Sequence, residues 1–342
     1  MKILFSTMIV FLFIVVLIIP SFSGSVLERN IPKDNIVTNS DFKTRGYIQD
    51  LIDNASDGDT INIPSGTYYE NIVINKPISL IGEDRDTTII DGSGSGTVVS
   101  IFSDSVNLEK FTIQNSGDGS YWIDAGIYVQ SDFNTIINNI ISNNYDGIII
   151  DEFYGYNNIT DNIILNNEWI AIRFGFFNSY NTIKGNTISN NIWGIHIGQF
   201  CDYNTITDNS ISNNKFGITI DEVSDSNIIY HNNFINNEEN ARDRNINVWD
   251  DGKYGNYWSD YKERYPNAKK IWDKGIWDTP YEIPDFGDSW DNCPLIKQWP
   301  NSVSIDISKN KAINNPFLNW LQSHPNMFLL LQKLIQQFSF GL

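Results

Sequence analysis

The chain repeats one short motif five times between residues 126 and 237: GIYVQ from Gly126, GIIID from Gly147, AIRFG from Ala171, GIHIG from Gly194 and GITID from Gly217. The starting points of these motifs lie 21, 24, 23 and 23 residues apart. A column of asparagines repeats with them at spacings of 23, 24, 23 and 23 residues: Asn134, Asn157, Asn181, Asn204 and Asn227. Repeats of this length predict a solenoid, in which each unit buries its apolar side chains against its neighbours.

Apolar residues alternate within the GIxI motif, and a period of two is that of a β-strand. Stacked strands lie ~4.8 Å apart, so equivalent side chains of successive coils rest on one another and fill the interior. Two such columns are predicted to form the core: Ile136, Ile159, Ile183, Ile206 and Ile229, and Ile141, Ile164, Ile188, Ile211 and Phe234. The sequence therefore predicts an all-β fold, a β-solenoid.

Further asparagine columns run through the repeat, and they admit two interpretations. They comprise Asn139, Asn162, Asn186, Asn209 and Asn232, and Asn143, Asn166, Asn190, Asn213 and Asn236. The first interpretation is sugar binding by exposed amides. The second is structural, because asparagine tolerates left-handed turns and stacked amides hydrogen-bond from coil to coil. We predict the structural role.

The formal net charge of the 342-residue chain is −18 at pH 7. Proteins that bind nucleic acid present a basic surface to the phosphate backbone, so nucleic acid is excluded as a partner. The length would accommodate two average domains, but a solenoid grows by adding coils. One long domain with a cap at each end is therefore expected.

The amino terminus has the pattern of an export signal. Lys2 precedes an apolar run from Ile3 to Pro20, and small residues follow up to Ser25. Residues 1–24 are predicted to be a signal peptide, with an uncleaved membrane anchor as the alternative, and residues 25–44 a polar linker. We expect a secreted or cell-surface protein. Its two cysteines, Cys201 and Cys293, form either one disulfide or two free thiols.

Short helices are predicted near both ends. Ile48, Leu51, Ile52 and Ala55 fall at i, i+3, i+4 and i+7, which predicts a helix that covers the open end of the first coil. Prolines 316 and 325 each introduce a short helix in the tail, residues 301–342. The second, MFLLLQKLIQQF, reaches about 20 Å at ~1.5 Å per residue, short of a bilayer core of ~30 Å. It would dock or lie on a membrane surface.

Three segments carry a resemblance to a known family: residues 46–92, which include GYIQDLIDNASDGDTINIPSGTYYE, then NVWDDGKYGNYWSDY (247–261), and DKGIWDTPYEIP (273–284) with DNCPL (291–295). The first resembles the amino-terminal cap and early coils of right-handed parallel β-helices of the pectate lyase superfamily. With the repeats it is most similar to the NosD-like, or CASH, group of surface β-helix proteins. The resemblance implies a right-handed β-helix over residues 45–240 and an irregular Trp-, Tyr- and Asp-rich C-terminal cap over residues 241–300.

The resemblance also implies two metals to consider. An Asp- and Gly-rich stretch with the composition of a calcium loop usually precedes the DTPY segment in the family, and here Asp273 and Asp278 remain as candidate ligands. The NosD name carries a copper association. Beyond the leader, the chain supplies few ligands that copper prefers: His196, His231, His324, Cys201, Cys293 and Met327. No cofactor is predicted, calcium stays an alternative and copper is not expected.

The third and fifth positions of each motif point away from the core, because successive strand residues face opposite sides. They form two outward columns: Tyr128, Ile149, Arg173, His196 and Thr219, and Gln130, Asp151, Gly175, Gly198 and Asp221. This arrangement places Arg173 beside His196, with Asp151 diagonal to Arg173. The glycine pair is expected to open space next to this cluster.

Aromatic residues flank these columns in the adjoining turns. Such residues provide stacking surfaces for a sugar chain, and the candidate carbohydrate-binding residues are Tyr128, Tyr154, Tyr156, Trp169, Phe177, Tyr180, Trp193 and Tyr203. In the alternative interpretation the rings stack as ladders that cover the coil edges, and Asp151 and Arg173 form a surface ion pair. Asn54 and Asn158 lie in glycosylation patterns.

Asp151, Arg173 and His196 are the catalytic candidates. Asp151 and Asp221 occupy the same column three coils apart, about 14 Å at ~4.8 Å per coil, whereas glycoside hydrolysis needs roughly 5 to 9.5 Å. The leading hypothesis is an exported β-helix that binds an extracellular glycan or envelope polysaccharide without an evident catalytic set. The alternatives are a polysaccharide lyase or glycoside hydrolase, a structural envelope protein, and a NosD-type copper-associated periplasmic protein.

Overall fold

The computed structural model describes residues 46–119, 123–285 and 288–300, which wind into stacked coils of three parallel strands. The predicted leader, linker and C-terminal tail, with its two helices, lie outside these residues. Within the described residues no helix is both long enough and apolar enough to cross a bilayer. The predicted all-β parallel β-helix, with an amino-terminal helix over its first coil, is confirmed.

Each coil contributes one strand to each of three parallel sheets. The first sheet contains β1 (Thr60–Ile63), β4 (Ser79–Gly82), β7 (Asn107–Glu109), β10 (Thr135–Ile137), β13 (Asn158–Thr160), β16 (Thr182–Lys184), β19 (Thr205–Thr207) and β22 (Ile228–Tyr230). The second contains β2 (Gly66–Tyr69), β5 (Thr88–Asp91), β8 (Thr112–Gln114), β11 (Ile140–Ser142), β14 (Ile163–Leu165), β17 (Thr187–Ser189), β20 (Ser210–Ser212), β23 (Asn233–Ile235) and β25 (Tyr257–Trp258). The third contains β3 (Ile72–Ile74), β6 (Val99–Ile101), β9 (Ala125–Val129), β12 (Asp146–Ile150), β15 (Ile170–Phe174), β18 (Trp193–Ile197), β21 (Phe216–Ile220) and β24 (Glu239–Asp243).

Equivalent apolar side chains stack along the axis, as the repeat predicted. Ile136 pairs in register with Ile159, Ile141 with Ile164, and Ile148 with Ile172. All members of the two predicted columns are at most 1% exposed. The repeat glycine has a packing reason as well, because a Cβ on Gly147 would strike the carbonyl oxygen of Ala171 in the next coil.

The amino-terminal helix α1 (Tyr47–Asn54) covers the first coil. Ile48 and Ile52 are fully buried, and Leu51 packs against the same core from a partly buried position. The carboxylate of Glu70 accepts the backbone N–H groups of Ile48 (3.0 Å) and Gln49 (3.1 Å). These are among the N–H groups that a helix start leaves without an intrahelical acceptor.

Buried asparagines join successive coils through three amide ladders. Two ladders belong to columns recognised in the sequence, and each ends on a cap residue, Asn247 or Asn256. The third was not recognised: Asn144, Asn167, Asn191, Asn214 and Asn237. In each ladder the side-chain oxygen accepts the backbone N–H of the preceding coil's asparagine, and the amide nitrogen donates to a carbonyl. The buried corners thus satisfy backbone groups that have no strand partner.

The neighbouring column, Asn143, Asn166, Asn190, Asn213 and Asn236, has a different structural role. All five residues adopt left-handed backbone conformations with φ between 53° and 59°. Asparagine tolerates this region better than most residues. The structural role predicted for asparagine therefore divides between turn formation and buried ladders.

The C-terminal cap closes the far end of the core. It contains α2 (Tyr261–Arg264) and two antiparallel pairs, β26 (Lys270–Ile271) with β27 (Ile276–Trp277) and β28 (Tyr281–Glu282) with β29 (Trp290–Asp291). The ring of Trp258 stacks between Phe234 (4.3 Å between centroids) and Tyr281 (4.0 Å), which extends the core column into the cap. Asp291 is fully buried and accepts the indole N–H of Trp258 at 2.8 Å.

We expect Asn209→Ala to destabilise the protein by about 1–3 kcal/mol, because it leaves the backbone N–H of Asn186 and the carbonyl of Ile183 without their partners. The matched control is Asn213→Gly, at an exposed position with φ 55° that glycine adopts freely. Urea unfolding followed by circular dichroism measures both. Equal losses in the two variants would contradict the division of roles.

We also expect stability to fall between about pH 4 and pH 7 through Asp291. Burial raises the pKa of this carboxyl from 3.8 to about 7. The folded protein therefore holds the proton more tightly than the unfolded chain, and this stabilisation is present at low pH and is lost as the pH rises through about 7. Thermal unfolding of Asp291→Asn should show a shallower pH dependence than that of the wild type. Identical slopes would exclude Asp291 as the cause.

Candidate functional site

The outer face of the third sheet carries the predicted outward columns in register. Tyr128 pairs with Ile149, Ile149 with Arg173, and Arg173 with His196, which is followed by Thr219 and Arg242. The polar groups of this face are therefore one coil apart along the axis. They divide into three clusters with different partners.

The first cluster contains Tyr128, Gln130 and Asp151. The hydroxyl of Tyr128 donates to Oδ2 of Asp151 at 2.6 Å, and the amide of Gln130 donates to the same oxygen at 2.7 Å. Burial and the neighbouring Asp151 raise the pKa of Tyr128, so it stays a neutral hydrogen-bond donor. Asp151 is thus held by two neutral donors within the protein.

The second cluster pairs Arg173 with Asp146, a residue that was not among the candidates. Nε of Arg173 lies 3.2 Å from Oδ2 of Asp146, which is 1% exposed and also accepts the N–H of Ile170. Burial raises the pKa of Asp146 to about 6, and Arg173 opposes this shift. The sequence contained a signal for this residue. Asp146 is a charged residue at a position of the repeat where the next three coils have the apolar residues Ile170, Trp193 and Phe216.

The third cluster is centred on Asp221. Its carboxylate lies 3.3 Å from Nε2 of His196 and 3.5 Å from Arg244. The hydrogen bond from His196 lowers the pKa of Asp221, and the charges of His196 and Arg244 act in the same direction. The three catalytic candidates therefore belong to three separate clusters, with Asp151, Arg173 and His196 each held by a different partner.

Two buried polar atoms of this face have no hydrogen-bond partner among the described residues. They are Nδ1 of His196 and Oγ1 of Thr219, whose residues are register neighbours on adjacent coils. Thr219 is 5% exposed. Buried polar atoms are rarely left unpaired in folded proteins, so such a pair indicates a place where a ligand can form hydrogen bonds.

Two aromatic ladders occupy the long turns that lead from the third sheet back to the first. One contains Phe133, Tyr156, Tyr180 and Tyr203, and the other Phe153, Phe177 and Phe200. All seven residues adopt left-handed conformations with φ between 58° and 73°, and each is at least 42% exposed. This conformation costs an ordinary residue about 1 kcal/mol or more. Exposed aromatic residues thus stand at positions where the backbone conformation would strain asparagine or glycine less.

The rings of these ladders cover one another's faces. Successive centroids lie 4.7 to 5.2 Å apart with planes within 15° of parallel. The ladders therefore present ring edges and tyrosine hydroxyls, and only the rings at their ends have a face free of the stack. Phe153 is the most exposed of them, at 67%. Of the other turn candidates, Tyr154 is only partly exposed and packs against the core.

A different arrangement lines the opposite edge of the third sheet. Trp169 meets Trp193 edge to face, with 4.6 Å between centroids and 66° between planes, whereas Trp193 stacks on Phe216. Trp169 is 37% exposed. In an edge-to-face pair the edge of one ring meets the face of the other, so Trp169 does not continue the parallel stack of Trp193 and Phe216.

The glycines beside the clusters have a structural reason different from the predicted one. A Cβ on Gly198 would lie 2.6 Å from the carbonyl oxygen of Gly175, which is too close. Glycine is required at Gly198 by the close approach of the coils. The space that the glycine pair was expected to open next to the cluster stays a prediction.

The remaining candidates lie away from this face. Asp278 accepts the N–H of Lys269 and the hydroxyl of Thr279, and Asp273 lines a cavity of about 280 Å³ with Cys293. No group of three or more His, Cys, Asp or Glu side chains in the described ranges is arranged to hold a metal ion. Both cysteines are free thiols, and Asn54 and Asn158 are exposed.

The chain is similar to one protein family and, at low identity, to several solved structures. The model of the family described as periplasmic copper-binding protein (NosD) matches residues 52–263. The protein ORF18 of Geobacillus virus E2 is 15% identical, with a TM-score of 0.38 over 58% of this chain and 52% of that chain. The chain thus spans about half of that viral protein.

Two further structures are enzymes by name. The enzymatically active domain of bacteriophage CBA120 tailspike protein 2 is 16% identical, with a TM-score of 0.42 over 57% of this chain and 37% of that chain. Pectin methylesterase from carrot is 14% identical, with a TM-score of 0.35 over 59% and 77%. No curated protein matches the chain in sequence.

We expect Arg173→Met to destabilise the protein more at pH 8 than at pH 5. The variant leaves the buried carboxylate of Asp146 without its cation, so its pKa should rise further above about 6. Breaking a buried ion pair costs about 3–5 kcal/mol, and we expect the lower end because the Arg173 side chain is 26% exposed. The double variant Asp146→Asn/Arg173→Met should recover stability. Chemical denaturation at both pH values checks this, and no recovery would contradict the pairing.

Proposed function

The chain belongs to the NosD family of periplasmic proteins, and on that premise we propose that it is an extracytoplasmic β-helix that binds a carbohydrate chain across the outer face of its third sheet. The ligand would be an extracellular glycan or an envelope polysaccharide. In this proposal the protein holds the glycan and does not cleave it.

One observation carries the proposal: Nδ1 of His196 and Oγ1 of Thr219 are buried without a protein partner on adjacent coils of the same sheet face. Sugars supply hydroxyl groups that both donate and accept hydrogen bonds, so a glycan can satisfy both atoms. The two residues face outward from strands β18 and β21, between the long turns on one side and Trp169 on the other.

The flanking aromatic residues supply the apolar part of such a site. Trp169 can stack on the C–H face of a sugar ring, which is the usual complement of polar contacts in carbohydrate sites. On the other side, Tyr156, Tyr180 and Tyr203 provide a row of ring edges with hydroxyls, about 5 Å apart along the axis. Exposed apolar surface of this extent favours a binding function over a purely structural one.

A polysaccharide lyase or glycoside hydrolase is the second candidate, and one observation favours it. Asp146 combines a pKa of about 6 with an ion pair to Arg173, and a carboxyl tuned towards neutral pH suits general acid–base chemistry. Its 1% exposure argues for a structural role in the free protein. Product release from neutral or uronate polymers that is abolished in Arg173→Ala would establish this candidate.

The described residues do not fit the copper site that the family description implies. His196 is paired with Asp221 on the third sheet, whereas His231 follows β22 of the first sheet and stacks on Trp299. The two cysteines lie in different parts of the fold, Cys201 between β18 and β19 and Cys293 after β29 of the cap, and burial raises the pKa of both thiols. His324 and Met327 lie outside the described residues.

We expect Thr219→Val to weaken glycan binding about fivefold, the equivalent of one hydrogen bond of ~1 kcal/mol, while the stability of the free protein is kept or raised. Valine has the shape of threonine and removes a buried hydroxyl that has no partner. Trp169→Ala should weaken binding further. The matched control is Trp272→Ala, a 69% exposed tryptophan of the C-terminal cap. Glycan arrays followed by calorimetry measure binding, and the proposal fails if the wild type binds no glycan or if Trp272→Ala loses as much.

A further inference from the structure

We infer that the ligand of the third-sheet face is an uncharged glycan and that this face rejects polyuronates. The inference rests on the proposed function and specifies its substrate class. It follows from how the charges of the face are compensated within the protein, from the composition of its rims and from the net charge of the chain.

The basic side chains of the face already have carboxylate partners. Arg173 pairs with Asp146 at 3.2 Å, and His196 pairs with Asp221 at 3.3 Å. Towards the cap, Arg242 binds Glu239 at 2.7 Å, and both Arg242 and Arg244 lie within 3.4 Å of Asp285. The first cluster adds Asp151, whose partners are the neutral Tyr128 and Gln130. The face thus has no excess of positive charge.

A glycan carboxylate would have to displace one of these internal partners to reach a cation. At Arg173 the displaced group would be Asp146, which is 1% exposed and would be left as a buried charge without its cation. Leaving one member of a buried pair uncompensated is strongly unfavourable. Sugar hydroxyls require no such exchange, because they can bind Thr219 and the free nitrogen of His196 while the ion pairs stay intact.

The long turns form an acidic rim beside this face. They comprise residues 151–157, 175–181, 198–204 and 221–227, which contain no Lys, Arg or His. Their acidic residues are Asp151, Glu152, Asp202, Asp221, Glu222 and Asp225. On the opposite rim both Lys215 and Arg242 lie over the ring of Phe216, and Arg242 is already paired with Glu239. A polyanion that approached the aromatic ladders would therefore meet carboxylates on one side, and on the other side two cations of which only Lys215 is without a carboxylate partner in the ion pairs described above.

The chain as a whole adds to this local repulsion. Its formal net charge is −18 at pH 7, and at low ionic strength such a field extends over tens of ångströms, ~30 Å at 0.01 M salt. Polyuronates would be repelled before contact. Binding of a neutral glycan through hydrogen bonds and stacking should depend little on salt.

The test uses one polymer with and without its charge: polygalacturonate and its fully methyl-esterified form, together with neutral mannan and xylan oligosaccharides. We expect wild-type protein to bind at least one neutral polymer with an affinity that changes less than twofold between 0.02 and 0.2 M salt. The Debye length falls below ~10 Å over this range, so binding that depended on charge would change strongly. Polygalacturonate should bind at least about tenfold more weakly than the tightest neutral polymer.

A charge-reversal variant makes the inference falsifiable by gain of binding. Glu152→Lys/Glu222→Lys changes two exposed residues of the acidic rim and should gain at least about tenfold in polygalacturonate affinity, while binding of the neutral polymer is kept. Asp57→Lys/Glu263→Lys is the control, since it changes the net charge equally at exposed positions away from this face. Equal gains in both variants would leave net charge as the cause and overturn the role of the rim.

The outcomes separate the two proposals. Tighter binding of polygalacturonate than of every neutral polymer by the wild type would overturn this inference and leave glycan binding standing. Absence of binding to every polymer would overturn the proposed function and this inference with it.

Discussion

The structure depends on one interaction, the hydrogen bonds that buried asparagine amides make between coils. Strand pairing satisfies the backbone within the three sheets, but at the corners the chain turns and the peptide groups lose their strand partners. There the oxygen of each ladder asparagine accepts the N–H of the coil before it, and its nitrogen donates to a carbonyl. Because an unpaired buried peptide group is costly, these amides keep the coils in register. The same register determines which outward side chains of the third sheet lie next to one another.

Much of the fold could be predicted because a period of about 23 residues and a period of two specify which side chains meet. The pattern could not show which asparagine of each adjacent pair forms the left-handed turn and which joins the buried ladder. Asn143 and Asn144 are adjacent and identical in type, yet one adopts a left-handed turn at φ 57° and the other is 1% exposed in a ladder. Only the path of the backbone distinguishes them. Strand β7, with the sequence NLE, lacked the β-branched residues that mark its neighbours.

The candidate site was predictable in its columns and not in its pairings. Register followed from the repeat, so Arg173 and His196 were placed side by side correctly. Their partners were not predictable, because Arg173 reaches Asp146 at the start of the equivalent strand one coil earlier, a position where the next three coils have apolar residues. Ring orientation was also beyond the sequence. Stacking at about 5 Å turns the faces of the tyrosines towards one another, whereas Trp169 stands across its neighbour.

The helical pitch gives this surface a property that a globular pocket lacks. Each turn of the chain advances the face by ~4.8 Å and adds one outward residue to each column. Since a coil touches only the coils beside it, whole turns can be gained or lost without redesigning the interior. The length of the face along the axis is therefore a whole number of coil steps. A chain of this kind can match the length of an extended polymer simply by the number of its windings.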